Sequence, residues 1–483
     1  MHVAVVKNGT DAQLYVNGVP DNSGTIDKTM SVDRMAIGAF YQWGSVNTSL
    51  CFPGEIDEVR IWHSARTAWE IREYMFKDAG TGMAAYYKSD SGSGTSLTDD
   101  SGNGYTGTLT NGPGWSTSDC FLSNGNALTF DGINDHIWFP SGAPAYPGSF
   151  TIEGWIKTSD LGIEKEIVCW GSNNSSVNDV VELRMSGGKL EFGINDGSWE
   201  SLMGSREINT GRWTHVAVTK NGSSVSIYVN GIEDGNRTIN KNPDVSNLEI
   251  GNLFQANQQK NYYFPGSMDE MRVWDVALSE SEIRDLMYKN VNGNWSNLLV
   301  CFRMNQGGTV ATLFDGSGNY YHGYMNNFSL PSDFSNSDPY LTWTGSSSET
   351  WNTASNWHSG SVPGTYSHVS IPSGVVSSPS LSGSASVYNL YVENNATLKI
   401  NKDGQLTVNN GLFNRAGSAG LLIRADSNGM GSLIHHFDGV EGTVECYFEE
   451  DQWHGVTPSV SGASADVFEG IYLKYYTEVD SYW

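Results

Sequence analysis

The sequence predicts an all-β protein, and its composition and its turn signals carry the prediction. The 483 residues include 55 glycines, 23 tyrosines and 16 tryptophans, whereas only 17% of the residues are charged. Aromatic residues favour strands, and glycine, asparagine and serine favour the tight turns between strands. Short apolar runs end in Asn-Gly pairs at 221–222 and 230–231. Because both residues tolerate positive φ, this spacing is typical of hairpins.

An internal repeat organises the first two thirds of the chain. HVAVVKNG (2–9) recurs as HVAVTKNG (215–222), and FPGEIDEVRIW (52–62) recurs as FPGSMDEMRVW (264–274). Other blocks recur in the same order: AQLYVNG (12–18) with VSIYVNG (225–231), WEIREYM (69–75) with SEIRDLM (281–287), and 84–107 with 299–323. Five matching blocks in one order indicate a duplicated domain.

The two copies differ in extent. The second copy has a front half, residues 126–214, with strands such as ALTF and SFTIEGWIKT, and the first copy has no equivalent. A sandwich without half of its strands leaves its core face and its strand edges open. We therefore expect the sequence to begin inside a domain. The predicted domains are a truncated copy (1–125), a complete copy (126–338) and a β-rich region (339–483).

One short helix is predicted after each FPG block. Thr67 and Ser279 are each followed three residues later by glutamate, at Glu70 and Glu282, and this spacing fits a capping box. Ile283, Leu286 and Met287 then form one apolar stripe. Such a stripe is enough to pack the helix on a sheet.

The motifs WTHVAVTKNG, IYVNG, FPGSMDEMRVW and LSESEIRDLM resemble the concanavalin A-like, laminin-G-like jelly roll, a group that includes the pentraxins. ALTFDGINDHIWF (127–139) is similar to the opening strand of that family. The resemblance covers about 1–125 and 126–338. It implies antiparallel jelly-roll sandwiches that bind ligands outside the cell.

The composition changes at about residue 340, where Ser, Gly, Asn and Val become frequent. Strands of about five residues, separated by Asn, Gly and Asp, suit either a solenoid of parallel rungs or a small sandwich. The region resembles the C-terminal stretches of bacterial surface proteins exported by the type IX route. WNTASNWHSGSVPG (351–364) and DQWHGVTPSVSGASADVFEGIYLKYYTEVDSYW (451–483) carry that resemblance, and the second segment is expected to be truncated.

The sequence disfavours catalysis. Concanavalin-like glucanases need carboxylates that face one cleft, and the nearest candidate is Glu55-Ile-Asp57-Glu58. Alternation along a strand turns Glu58 to the face opposite Glu55 and Asp57. In the other copy Ser267 replaces the first glutamate. We expect a binding domain and not an enzyme.

A calcium site is the principal cofactor hypothesis. Asp131 and Asp135 flank a turn, and oxygen ligands clustered on loops are what calcium requires. The jelly-roll resemblance implies a calcium site at a sheet rim. Alternation places Asp269 on the face of Met271 and Val273, where a carboxylate must be paired or ligated. The alternative is that these aspartates cap turns, as is also expected of DDSGNG (99–104) and DGSGN (315–319).

Glu270, Arg272 and Trp274 are the candidate ligand-binding residues, on the expected exposed face of the DEMRVW strand. Arginine beside tryptophan can hold a sugar or an acidic peptide by stacking and hydrogen bonds. The alternative is a structural Glu–Arg pair beneath the following helix. The loop 252–263 and residues near Tyr41 and Trp43 diverge most between the copies, and specificity usually lies in such loops.

The overall charge limits the partners. With 53 acidic and 27 basic residues the net charge is −26, which disfavours nucleic acids and anionic membranes as partners. Five scattered cysteines predict no disulfide framework, and no apolar run is long enough for a membrane helix. We predict a non-catalytic extracellular or cell-surface protein that binds a glycan or a surface protein. The alternatives are the accessory region of a secreted hydrolase and a spacer in a surface filament.

Overall fold

The structure is a computed structural model, and it describes residues 2–447 except positions 17, 29–33, 43–44, 75–81, 90–92, 116–125, 140–141, 174–178, 255–261, 290, 292–294, 306–310 and 320. The chain forms two compact units, residues 1–339 and 340–483. Nearly all of the regular structure is β, as predicted. Trp43, most of the loop 252–263 and the segment 451–483 lie outside the described residues.

The first copy contains the hairpins that its Asn-Gly turns predict. Strands β1 and β2 pair antiparallel, with Asn8 opposite Asp11, and β3 extends the sheet. The elements of this copy are β1 (Val3–Asn8), β2 (Asp11–Val16), β3 (Val19–Thr25), β4 (Ala39–Gln42), β5 (Ser45–Cys51), β6 (Val59–Trp62), α1 (Ala68–Tyr74), β7 (Met83–Tyr87), β8 (Ser96–Leu97) and β9 (Gly107–Thr108).

The second copy is a two-sheet antiparallel sandwich, which confirms the predicted jelly roll. Its strands are β10 (Asn126–Asp131), β11 (His136–Trp138), β12 (Ser149–Lys157), β13 (Glu164–Gly171), β14 (Val180–Ser186), β15 (Lys189–Asn195), β16 (Trp199–Glu207), β17 (Trp213–Asn221), β18 (Ser224–Val229), β19 (Ile232–Thr238), β20 (Asn247–Ile250) and β21 (Pro265–Trp274). Helix α2 (Glu280–Leu286) follows, and then β22 (Leu298–Phe302), β23 (Thr312–Leu313), β24 (Gly323–Asn326) and β25 (Phe334–Asn336).

Two sheets enclose the core. Sheet A has the order β19-β18-β17-β12-β21-β10-β25, with β22 also on β21, and sheet B has the order β16-β15-β14-β13-β20-β11-β24-β23. Ile152 and Val218 from sheet A pack in one cluster with Leu183 and Phe192 from sheet B. All four are fully buried, as expected where the inner faces of two sheets interdigitate.

Both predicted capping boxes are confirmed. Ser279 accepts a hydrogen bond from the Glu282 amide, and Glu282 accepts one from the Ser279 amide at 2.7 Å. Thr67 and Glu70 make the same reciprocal pair. Helix α2 buries the predicted apolar stripe, of which Ile283 is a member, against the outer face of sheet A.

The second unit is a parallel β-solenoid, so the sandwich alternative does not hold for its described strands. Five strands stack in the order β26-β27-β29-β31-β35 and four in the order β28-β30-β32-β36, with every pairing parallel. The strands are β26 (Leu341–Thr342), β27 (His368–Ile371), β28 (Ser380–Leu381), β29 (Ser384–Val392), β30 (Leu398–Ile400), β31 (Gln405–Asn414), β32 (Leu421–Ile423), β33 (Ala425–Asp426), β34 (Gly429–Met430), β35 (Ser432–Ile434) and β36 (Thr443–Val444).

Three tryptophans close the first rung of the solenoid. Trp343, Trp351 and Trp357 are buried, and the rings of Trp351 and Trp357 have centroids 4.8 Å apart. Asn356 is fully buried beside them, and its side-chain oxygen accepts hydrogen bonds from the amides of Ser347 and Ser348. The tryptophans therefore cap the hydrophobic core of the solenoid.

Within the described part of the chain no helix is both long and apolar enough to span a membrane. Cys169 and Cys301 are buried, as expected for small apolar residues, and Cys446 is exposed. Burial raises the pKa of the Cys301 thiol to about 12. Its thiol is therefore inert at neutral pH.

Candidate functional site

The three predicted ligand-binding residues are not on an exposed face. Glu270, Arg272 and Trp274 are all buried, because helix α2 and the segment after it cover the outer face of sheet A. Arg272 donates to the carbonyls of Leu286 and Lys289 at 2.9 and 2.8 Å and to Glu270 at 2.6 Å. The prediction of an exposed face is wrong, and the arrangement is the alternative, an ion pair beneath the helix.

A β-bulge explains a second error. Glu153 pairs with Arg272 and Trp155 pairs with Asp269, so Glu270 and Met271 stand opposite one residue of β12. Glu270 has φ 49°, which interrupts the alternation of faces. Asp269 therefore shares a face with Arg272 and not with Met271. Glu58, the counterpart of Glu270 in the first copy, has φ 54°.

The buried network at Arg272 ties the helix to the sheet. Glu153 accepts hydrogen bonds from Trp274 Nε1 at 3.0 Å and from Arg272 at 3.3 Å, and His215 Nε2 lies 3.5 Å from its other oxygen. Burial raises the pKa of Glu153, but His215 and the Arg272 charge outweigh it and hold the pKa below its ordinary value. Burial lowers the pKa of His215. The carboxylate is thus ionised, with two donors at Oε1 and no hydrogen-bond partner at Oε2 among the described residues.

The first copy repeats part of this network. Arg60 donates to the Tyr74 carbonyl at 2.6 Å and pairs with Glu58, as Arg272 does with Leu286 and Glu270. The two arginines reach carbonyls at the same sequence distance, fourteen residues on. The duplication read from the sequence is therefore present in the contacts as well.

The three predicted metal ligands do not form one site. Asp131 Oδ1 accepts the amides of Ile133 and Asn134 at 2.7 and 3.1 Å, and Asp135 Oδ2 accepts the Asp131 amide at 2.8 Å. Asp131 pairs with Pro265, so Asp269 lies four residues along β21, roughly 13 Å away at ~3.3 Å per residue. Burial raises the pKa of Asp135 to about 6. These contacts are those of turn caps.

The described residues contain no group of three His, Cys, Asp or Glu arranged to hold a metal ion. In the DDSGNG loop, Asp99 accepts amides from Tyr86, Ser101 and Tyr105, and these bonds outweigh burial and lower its pKa to about 2. In the other copy, Asp315 likewise accepts hydrogen bonds from three backbone amides, those of Cys301, Ser317 and Tyr321. Both loops are capped turns. Calcium binding itself stays a prediction.

A site that the sequence reading missed lies on the outer face of sheet B. Side chains alternate along its strands, so one set enters the core and the other faces outward. The outward set is rich in polar residues and includes Glu164, Glu166, Glu182, Arg184, Glu191, Gly193, Trp199, Glu249, Trp138 and Tyr324, together with the apolar Cys169 and Val180. Outer faces of sheets are normally polar, but these glutamates are largely buried, which is unusual for charged residues.

Arg184 is the centre of this face. Its Nε donates to Glu191 at 2.9 Å, its Nη1 donates to Glu182 at 2.8 Å, and its Nη2 lies 3.4 Å from Glu164. These carboxylates hold the pKa of Arg184 above its ordinary value although burial lowers it. Three glutamates thus share one cation.

Glu166 lies beside Arg184 in the strand register and is fully buried. No described donor reaches either of its oxygens. Burial, and then the Glu182 carboxylate, raise the pKa of Glu166 well above its ordinary value. Glu166 is thus a fully buried acid without a hydrogen-bond partner among the described residues.

Trp199 forms a platform at the edge of this cluster. A Cβ atom on Gly193 would lie 2.1 Å from the Trp199 ring, so the absent side chain is what lets the indole lie over β15. The Arg184 guanidinium stands 4.7 Å from the ring centroid, a cation–π contact. Trp199 nevertheless remains 38% exposed.

A second aromatic patch lies on the same face, separated from Trp199 by β13 and β20 among other strands. Trp138 and Tyr324 pair in the strand register, both are partly exposed, and their centroids are 6.1 Å apart. Glu249 lies next to Trp138 and accepts Asn252 Nδ2 at 3.0 Å. Burial raises the pKa of Glu249 to about 7. Between the patches Leu253 packs on the face, at the start of the loop predicted to carry specificity.

A signal for this face is present in the sequence. EKEIVCW, VELRMS and KLEFGIN each alternate charged and apolar residues over consecutive strands. Such strands place the charges of neighbours side by side. The alternation predicts a polar face but not its burial, which depends on residues far along the chain.

Both copies of the repeat match one family model. It is the concanavalin A-like lectin/glucanases superfamily, and the matching segments are residues 1–72 and 131–284. The match confirms the predicted concanavalin A-like resemblance for these two segments. Residues 342–436 match a domain of unknown function, which gives no support to the predicted type IX resemblance. No curated protein matches the chain.

Solved structures with a related fold include a putative carbohydrate binding protein from Bacteroides ovatus, with 21% identity, coverage of 50% of this chain and 68% of that one, and a TM-score of 0.35. The heptameric SAP-like pentraxin of Limulus polyphemus has 20% identity, coverage of 33% and 80%, and a TM-score of 0.28. The CBM40 of Ruminococcus gnavus IT-sialidase has 17% identity, coverage of 29% and 83%, and a TM-score of 0.27.

Proposed function

We propose that this protein binds carbohydrate without cleaving it, and that the outer face of sheet B is the binding surface. The observation that carries the proposal is the Trp199 platform beside fixed polar groups. The flat apolar face of a sugar ring packs on an indole, and its hydroxyls need donors and acceptors held at the ring edge. Glu191 and Arg184 are held there by each other.

The spacing of the two aromatic patches suggests a chain of sugars. Trp199 lies over β15 and Trp138 lies on β11, with β14, β13 and β20 between them. Four strand spacings of ~4.8 Å separate the patches by about 19 Å. An oligosaccharide of several units would contact both.

The geometry of the glutamates argues against hydrolysis. Glycosidases place their two carboxyl groups about 5–5.5 Å apart for retention and about 6.5–9.5 Å apart for inversion. Glu166 and Glu182, which are neighbours on this face, are both buried and so are not presented to a glycosidic bond.

The net charge of −26 suits a secreted or surface-exposed protein that does not bind nucleic acid or insert into membranes. Our proposal places the protein outside the cell, with glycans of a cell surface or polymer as partners. It is compatible with an accessory role beside a hydrolase. A pure spacer would bind no sugar.

A glycan array probed with the full chain tests the proposal, followed by calorimetry with the best ligand. We expect Trp199→Ala to weaken binding at least tenfold, since stacking and ring burial are lost together. Trp295→Ala is the matched control, because Trp295 is 41% exposed but packs on Trp274 of sheet A. The proposal fails if no glycan binds, or if both variants weaken binding equally.

A further inference from the structure

The carboxylates around Arg184 exceed its charge. Glu164, Glu182 and Glu191 all pair with this one guanidinium. One positive charge offsets one of three negative charges, so two are in excess where water is largely excluded. Because low dielectric strengthens Coulomb interactions, this surplus produces a strong negative potential at the face.

Arg184 is not available to an anionic ligand. Its Nε and both of its terminal nitrogens already face carboxylates. A sialylated or sulfated sugar would meet the surplus negative charge without gaining a free guanidinium. Like-charge contact at a desolvated face is costly, so such sugars are excluded.

Glu166 is an independent sign that a cation is missing. It is fully buried, it faces the cluster, and no described donor reaches its oxygens. Buried carboxyl groups are normally satisfied by donors. The charged and titratable groups that surround it are Glu164 and Cys169 of β13, Glu182 and Arg184 of β14, Glu191 of β15, Glu249 of β20 and Tyr262.

We infer that this face selects glycans that carry a free, protonated amine over their N-acetylated forms, and that it excludes carboxylated and sulfated glycans. The inference rests on the proposed function and specifies its ligand class. We place the amine near Trp199 and the partly exposed Glu164, because both border the Arg184 guanidinium.

Calorimetry of the full chain at pH 6 with three matched probes tests the inference. The probes are a chitosan tetramer, the chitin tetramer and sialyllactose. We expect the chitosan tetramer to bind at least tenfold more tightly than the chitin tetramer, and sialyllactose not to bind.

Glu166→Gln separates this inference from a general charge effect. It should reduce the preference for chitosan, while binding of the neutral probe persists. Glu200→Gln is the control, because Glu200 lies on β16, next to β15, but faces Lys241, away from the cluster. Equal binding of chitosan and chitin overturns the inference and leaves the proposed function standing. Failure of all three probes, with no hit on the array, overturns both.

Discussion

Glu249→Gln isolates the energetic cost of an acid buried on the proposed binding face. Glu249 is largely buried beside Trp138, and its side chain accepts a hydrogen bond from Asn252. Burial raises the pKa of Glu249 from 4.5 to about 7. Glutamine keeps the shape and the acceptor oxygen for Asn252 but cannot ionise.

The sign and size of the effect follow from linkage. An acid with a raised pKa in the folded state binds protons more tightly when folded, so stability is full below pH 4.5 and falls as the pH rises towards 7. Each pH unit of that interval is worth about 1.4 kcal/mol, which gives about 3 kcal/mol as an upper bound. We expect Glu249→Gln to be near neutral at pH 4.5 and stabilising by up to about 3 kcal/mol at pH 8.

Urea denaturation of the full chain at pH 4.5, 6 and 8 measures this difference. Pulsed hydrogen exchange of peptides from β13 and β20 assigns the transition to the sandwich. Glu207→Gln, at an exposed position at the end of β16, controls for the loss of a surface charge. A stabilisation that is equal at all three pH values, or a glutamine variant that is less stable at pH 8, would refute the reasoning.

Other substitutions test other parts of the structure. Gly193→Ala should displace the Trp199 ring by about 1 Å or more and weaken glycan binding as Trp199→Ala does, with unfolding free energy nearly unchanged. Arg272→Met leaves two buried carboxylates without their cation, and it should cost about 3–5 kcal/mol, seen as faster hydrogen exchange in β12. Asn356→Ala leaves the Ser347 and Ser348 amides of the solenoid without their acceptor, and denaturation should show a loss of about 2–3 kcal/mol in the free energy of unfolding. Asp131→Asn should lower Tm equally with calcium and with a chelator, whereas a loss seen only with calcium would support a metal site.

The sequence predicted the parts of the fold that depend on local patterns. The Asn-Gly turns, the capping boxes and the duplicated blocks each depend on a few neighbouring residues, and the structure contains them. Burial was harder to predict because it depends on distant strands. Val3 and Val5 are 63% and 66% exposed, whereas Val216 and Val218, in nearly the same sequence, are fully buried against sheet B.

The errors at the site have one physical source. The sequence predicted strict alternation of side chains along β21. A bulge at Glu270 adds a residue there, so the side chains before it lie on the opposite faces from those predicted. A positive φ at a glutamate has no local sequence signature, unlike one at glycine. Asp269 was therefore assigned to the wrong face. The cover that α2 places over Arg272 matches the alternative that the sequence left open, a Glu–Arg pair beneath the following helix.

The two buried arginine clusters of the sandwich show how a structural network differs from a candidate binding site. Arg272 meets two carboxylates and two backbone carbonyls, and Glu153 beside it receives donors from Trp274 and Arg272. Arg184 meets three carboxylates, and Glu166 beside it receives no donor among the described residues. A network that only stabilises a fold gains nothing from an unsatisfied acid, because each one costs about 1–3 kcal/mol or more. In the Arg272 network one oxygen of Glu153 also lacks a hydrogen-bond partner, whereas at Arg184 both oxygens of Glu166 lack one among the described residues. The fully unsatisfied acid thus lies on the face that we propose as the binding surface.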